Sequence, residues 1–178
     1  MTMKQPTDKL NTNILGMIVT IMGFGFVSIV AVIAFAAQDP LWFLTNFDER
    51  PARITIYHEG QRTELQRGDP GFAELAEAVR VSLAQGVARQ SGIGLSQGSL
   101  EDAYNLYVTV EAFFDQPVKL HTWFNTGRPT QMLFLITGRH SDLSVVFLGR
   151  ENQYTGGAPA LKTTEPIRDV LRAQGYLK

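Results

Sequence analysis

The chain contains no cysteine, which excludes disulfides, thiolate nucleophiles, iron–sulfur clusters, c-type haem attachment and cysteine zinc sites together. Histidine is scarce, with 3 among 178 residues. His58, His121 and His140 show no HxxH or HExxH spacing for a metal, and His58 and His140 read as turn residues beside Glu59 and Asp142. Neither sign of charge dominates: from Arg50 onward there are 14 Lys plus Arg against 13 Asp plus Glu. So even a mixture lacks the basic stripe that nucleic-acid binding requires. No lysine-rich run stands next to the long apolar segment, so the sequence gives no sign of acidic-lipid recognition.

Motifs of catalysis lack their context. Ser91, Ser96, Ser99, His121 and Asp102 supply the residue types of a serine hydrolase, and Gly94-Leu95-Ser96-Gln97-Gly98 has GxSxG spacing, but it falls in a predicted glycine-serine loop after a helix, whereas a nucleophile elbow follows a strand. Glu101, Asp102 and Glu111 are carboxylates without evidence of a shared cleft. Ser91–Gly98 contains GxGxxxG, yet it follows a predicted helix, whereas a dinucleotide loop follows a strand and opens a helix. It reads as a glycine-serine connector. The expectation is no catalytic residue, no metal site and no cofactor.

What the sequence does contain is one long hydrophobic run, Ile14–Ala37, of 24 residues without a charge. About 20 such residues cross a bilayer core, and a signal-peptide core of about 7–15 is shorter. Despite Ala34-Phe35-Ala36, which fits a small-x-small cleavage pattern, the run reads as an uncleaved anchor. Lys4 and Lys9 precede it, while Asp39, Asp48 and Glu49 come before the first basic residue on the other side, Arg50. Positive residues favour the cytoplasmic side, which puts the amino-terminal tail inside and the remainder outside a bacterial inner membrane. Gly16, Thr20, Gly23, Val27, Ala31 and Ala34 share one helical face, a small-residue stripe suited to packing against other membrane helices. Pro40 ends the helix, and Trp42, Phe43 and Phe47 are the residue types that settle at headgroup level.

The expected organisation is a polar tail (1–13), a membrane helix (14–37), an interface linker (38–52) and an extracytoplasmic α+β domain (53–178). In that domain Arg53–Tyr57 and Arg62–Gln66 pattern as a hairpin closed by His58–Gln61. Asp69-Pro70 opens a helix reaching about Ala88, with Phe72, Leu75, Ala76, Val79 and Leu83 on its inner face. Strands are expected over Asn105–Phe113, Val118–Phe124, Met132–Thr137 and Leu143–Leu148. Thr164-Glu-Pro166 opens a last helix facing inward through Ile167, Val170 and Leu171. Short turns make neighbouring strands antiparallel, with the two helices packed on the sheet.

Met132–Ile136 and Val145–Leu148 do not alternate, so both sheet faces need cover. Two helices and a hairpin leave the remainder to a loop, the membrane-proximal segment or another protein. Tyr154, Gly156 and Gly157 form a candidate partner-contact loop. One span plus a cofactor-free outer domain resembles, in architecture alone, the supernumerary subunits of bacterial electron-transfer complexes. The implied role is a non-catalytic accessory subunit, its partners being the lipid bilayer, other membrane helices and an extracytoplasmic subunit. A tethered envelope binding module, with a pocket drawn from Tyr104, Tyr107, Trp123 or Tyr154, and a hydrolase are the alternatives.

Overall fold

The computed structural model describes residues 14–44 and 46–178; the tail with Lys4 and Lys9 lies outside them. Helix α1 spans Ile14–Ala37 and buries only Ala37 within the protein. At about 1.5 Å per residue it measures roughly 36 Å, long and apolar enough to cross a membrane.

Six strands form one antiparallel sheet, ordered β2-β1-β4-β5-β6-β7: β1 Arg53–His58, β2 Gln61–Gln66, β4 Thr109–Phe113, β5 Gln131–Leu135, β6 Val146–Arg150 and β7 Gln153–Tyr154. The first hairpin closes over two residues, Glu59 and Gly60, both at positive φ, as tight antiparallel turns demand. A second, two-stranded sheet pairs β3 Val87–Gln90 with β8 Pro159–Leu161 and joins β6 through the Val145–Ala160 bridge.

The strands do alternate, but both sides are apolar. Ile54, Ile56, Val110, Ala112, Met132, Phe134, Val146 and Leu148 point to a core shared with α2 (Phe72–Ala84) and α4 (Glu165–Ala173). Ile167 and Leu171 of α4 are fully buried there, where truncation of each to Ala costs about 2–5 kcal/mol. Leu133, Leu135, Val145 and Phe147 face the other way, under α3 (Gln97–Asn105), Ile93 and Leu95 of the preceding loop, and Tyr154. The chain itself therefore supplies the second cover, and these strands need no outside protein.

Several local expectations are corrected. Asp69 does not cap α2: its carboxylate accepts the Gln66 amide at 2.7 Å and finishes the turn after β2, while Gly71 holds the cap position. The helix stops at Ala84 because Gly86, at φ 88°, takes the left-handed conformation that ends helices. Ser96 caps a helix that the glycine-serine reading had hidden, accepting the Ser99 amide. The loop before it does run from a strand to a helix, yet β3 is antiparallel to β8, so the parallel β-α-β frame of a dinucleotide site is absent. Val118–Phe124 forms no ladder; Val118, Leu120 and Thr122 are buried, but the segment turns toward the end of α1.

Candidate functional site

The end of α1 is built into the domain that follows it. Asp39, two residues past the helix, is 2% exposed. Its carboxylate accepts from His121 Nδ1 at 2.7 Å, from the Leu41 amide at 2.9 Å and from Lys119 Nζ at 3.2 Å. Lys119 also donates to the Gln38 carbonyl at 3.1 Å. Burial alone pushes the Asp39 carboxyl up, but the Leu41 amide, His121 and Lys119 outweigh it and hold the group below its ordinary value.

The linker continues the attachment. Phe47 is buried and meets the Phe114 ring edge-on at 6.1 Å. Arg50 pairs with Glu77 of α2 at 2.7 Å, and Arg80 grips the same carboxylate at 2.6 Å. The Arg80 guanidinium holds the Glu77 carboxyl down at about 2. Such exposed pairs contribute little stability singly; their use here is to fix the course of the linker over α2. Of the three aromatic residues expected at headgroup level, Phe43 is exposed and Trp42 half-buried, with no acceptor for its indole N–H among the described residues. Phe47 belongs to the core, because the chain turns inward after Leu44. Leu41, Leu44 and Trp123 are further exposed apolar residues, and Trp123 lies in the segment that docks on the helix end.

On α1 the Thr20 hydroxyl donates to the Gly16 carbonyl at 2.8 Å, so it is satisfied within the helix. A side chain at Gly23 would meet nothing within 4 Å. Ala31 is exposed and Ala34 half-buried.

A second polar centre lies on the α3 side of the sheet. Glu111, 3% exposed in the middle of β4, accepts from Tyr57 at 3.1 Å, from Tyr104 at 3.4 Å and from Tyr154. The Tyr57 and Tyr104 rings stack at 4.2 Å. A buried carboxylate needs such donors, and three hydroxyls from β1, α3 and β7 supply them. Burial, followed by the Glu111 charge, pushes the Tyr104 hydroxyl up to about 12 and those of Tyr57 and Tyr154 higher still. Tyr154, read as a partner contact, thus directs its hydroxyl inward; Gly156 remains exposed and Gly157, at φ 76°, half-exposed.

A cavity of about 240 Å³ opens between α3 and the turn after β5, lined by Ser99, Asp102, Tyr107, Arg139 and His140. Gly138 lets the Tyr107 ring pack against this turn: a Cβ there would lie 2.5 Å from the ring. No hydrogen bond joins Ser99, Asp102 and His140 among the described residues; Ser99 pairs with Ser96 at 2.9 Å, and His121 is committed to Asp39. No three His, Asp or Glu side chains gather as metal ligands among the described residues. Nor do Tyr104, Tyr107, Trp123 and Tyr154 share one pocket. Tyr107 lines this cavity, whereas Tyr104 and Tyr154 close on Glu111.

Comparison with family models, curated proteins and solved structures finds no match.

Proposed function

We propose that this chain is a non-catalytic, single-span subunit of a larger bacterial inner-membrane assembly. In this reading α1 crosses the bilayer with the tail cytoplasmic, and the domain stands outside beside another subunit. One observation carries it: buried Asp39, held by His121 and Lys119, fastens the helix end to the domain. A tethered binder gains reach from a slack linker. A subunit that must meet its neighbours in one orientation gains from a stiff joint.

The small-residue face of α1 supports the same reading, since close backbone approach drives helix association in lipid. The two covered sheet faces no longer contribute, because the chain covers them itself. In architecture alone the chain resembles accessory subunits of bacterial electron-transfer complexes; in such a complex it would position cofactor-bearing partners. The cavity beside Arg139 and His140 favours a second reading, a tethered envelope module taking a small ligand.

Replacing α1 by polyleucine separates the two. A subunit loses co-migration with its partners on a native gel of mildly solubilised membranes, with this chain followed by mass spectrometry. A tethered binder keeps its activity, and migration of the wild-type chain alone sinks the subunit reading.

A further inference from the structure

Where α1 meets the domain there is a cavity of about 370 Å³, within the roughly 300–1,000 Å³ of small-molecule sites. Its wall includes Ala37 and Gln38, the last residue of the helix and the first beyond it, the cations Lys119, Arg128 and Arg150, and uncharged residues of the 120–127 segment. No carboxylate lines it. Of its cations, Lys119 pairs with buried Asp39 at 3.2 Å. The two arginines have no ion pair among the described residues. Arg150 instead donates to the Arg128 carbonyl at 2.8 Å, which fixes the two chain segments side by side. An adjoining cavity of about 380 Å³ shares Arg128 and Arg150 and adds Glu151 at its outer side.

The depth of this cavity is set by the helix. If α1 lies in the bilayer, Ala37 and Gln38 stand at headgroup level, because about 30 Å of hydrocarbon is already spanned before them. Guanidinium groups bind phosphate oxygens through paired N–H donors, better than any other side chain. The geometry points to a site for a phosphate-bearing anion, presented by the headgroup of an acidic phospholipid, with Arg128 and Arg150 as its donors and Lys119 as supporting charge. The three cations come from separate segments, so no basic run marks them in the sequence. The inference rests on insertion of α1 and is independent of the subunit reading.

The test uses the full chain in nanodiscs of mixed phosphatidylglycerol and phosphatidylcholine, released for native mass spectrometry. Wild type is expected to retain phosphatidylglycerol preferentially. Removing two charges near the surface in Arg128→Gln/Arg150→Gln should lower that preference roughly 30-fold. The charge-keeping pair Arg128→Lys/Arg150→Lys should fall between the two, because it keeps the charge and loses the paired N–H donors, and thermal melts of all three check folding. Equal retention of the two lipids by wild type, or unchanged preference in the glutamine pair, overturns the proposal. Inorganic phosphate is the second probe. Arginine-dependent phosphate binding without any lipid preference assigns the site to a free anion and overturns the headgroup assignment. Alkaline carbonate extraction keeps the premise separate: release from vesicles refutes insertion itself, whereas retention without headgroup preference refutes only this site.

Discussion

Asp39 and His121 lie 82 positions apart and meet at 2.7 Å, joining a residue just past the apolar helix to a segment of the α+β domain. Lys119 reaches the same carboxylate. Asp39→Ala leaves His121 and Lys119 without their shared acceptor. Hydrogen bonds to charged groups contribute about 1.5–3 kcal/mol, so the variant should lose about 2 kcal/mol, read as a lower melting temperature of the reconstituted chain. Hydrogen exchange should quicken in residues 119–124 first. Unchanged exchange there would mean that the joint is held by other contacts.

The same carboxylate gives the stability a sign in acid. Its folded value is lowered, so its contribution is complete above the unfolded value near about 3.9 and disappears as pH falls through the folded value. Unfolding measured from about pH 6 downward should show wild type weakening below about pH 4, and Asp39→Asn should follow a flatter course. Parallel curves would remove Asp39 as a source of the acid dependence.

Tyr57, Tyr104 and Tyr154 are raised, which acts at the opposite end of the scale. Their contribution is intact below the unfolded value near about 10 and is lost as pH climbs toward the folded values. Ultraviolet titration of the folded chain should leave Tyr57, Tyr104 and Tyr154 protonated at about pH 11. In Glu111→Gln the charge is gone but the burial stays, so Tyr104 should ionise below about 12 without returning to the ordinary phenol value. Three normal titrations in wild type would contradict the buried cluster.

Ser96 holds the first turn of α3 through the Ser99 amide, and α3 covers one face of the sheet. Loss of a cap of this kind costs about 1 kcal/mol. Ser96→Ala should therefore lower the melting temperature modestly and expose Leu133 and Phe147 to solvent probes. Ser96→Asp, which keeps an acceptor, should behave as wild type.

In the apolar helix, Gly23→Leu and Ala31→Leu place bulk on the small-residue face, whereas Met22→Leu lies off it. If that face packs in lipid at about 1 kcal/mol per contact, each stripe substitution should reduce recovery with partner subunits about fivefold. Met22→Leu should change nothing. Equal recovery of all three would make the helix a passive anchor.

Much of this architecture can be read along the chain, and the failures share a cause. The β1–β2 hairpin, α2 and α4 declare themselves through local spacing of Ile54 and Ile56, of Leu75, Val79 and Leu83, and of Ile167 and Leu171. Leu100, Ala103, Tyr104 and Tyr107 recur at helical spacing behind Ser96 and mark α3 locally, although the glycines before them pattern as a loop. The joint and the Glu111 cluster carry no such local mark. Their members come from segments separated by 82 residues in one case and by 54 and 43 in the other, and no local pattern announces which distant side chain a carboxylate will meet. Val118, Leu120 and Thr122 alternate inward as a strand would, yet the deciding contact, with Asp39, lies outside any local window.

A stiff joint turns a property of the lipid into a property of the protein. At roughly 36 Å, α1 exceeds a hydrocarbon layer of about 30 Å, and a helix that is too long accommodates by leaning. With Asp39, Lys119 and His121 closing the hinge, a domain tied to an inserted α1 would lean with it. On the reading proposed above, a thinner membrane would then present a different side of the sheet to whatever stands next to it, and bilayer thickness would become a steering angle for the domain.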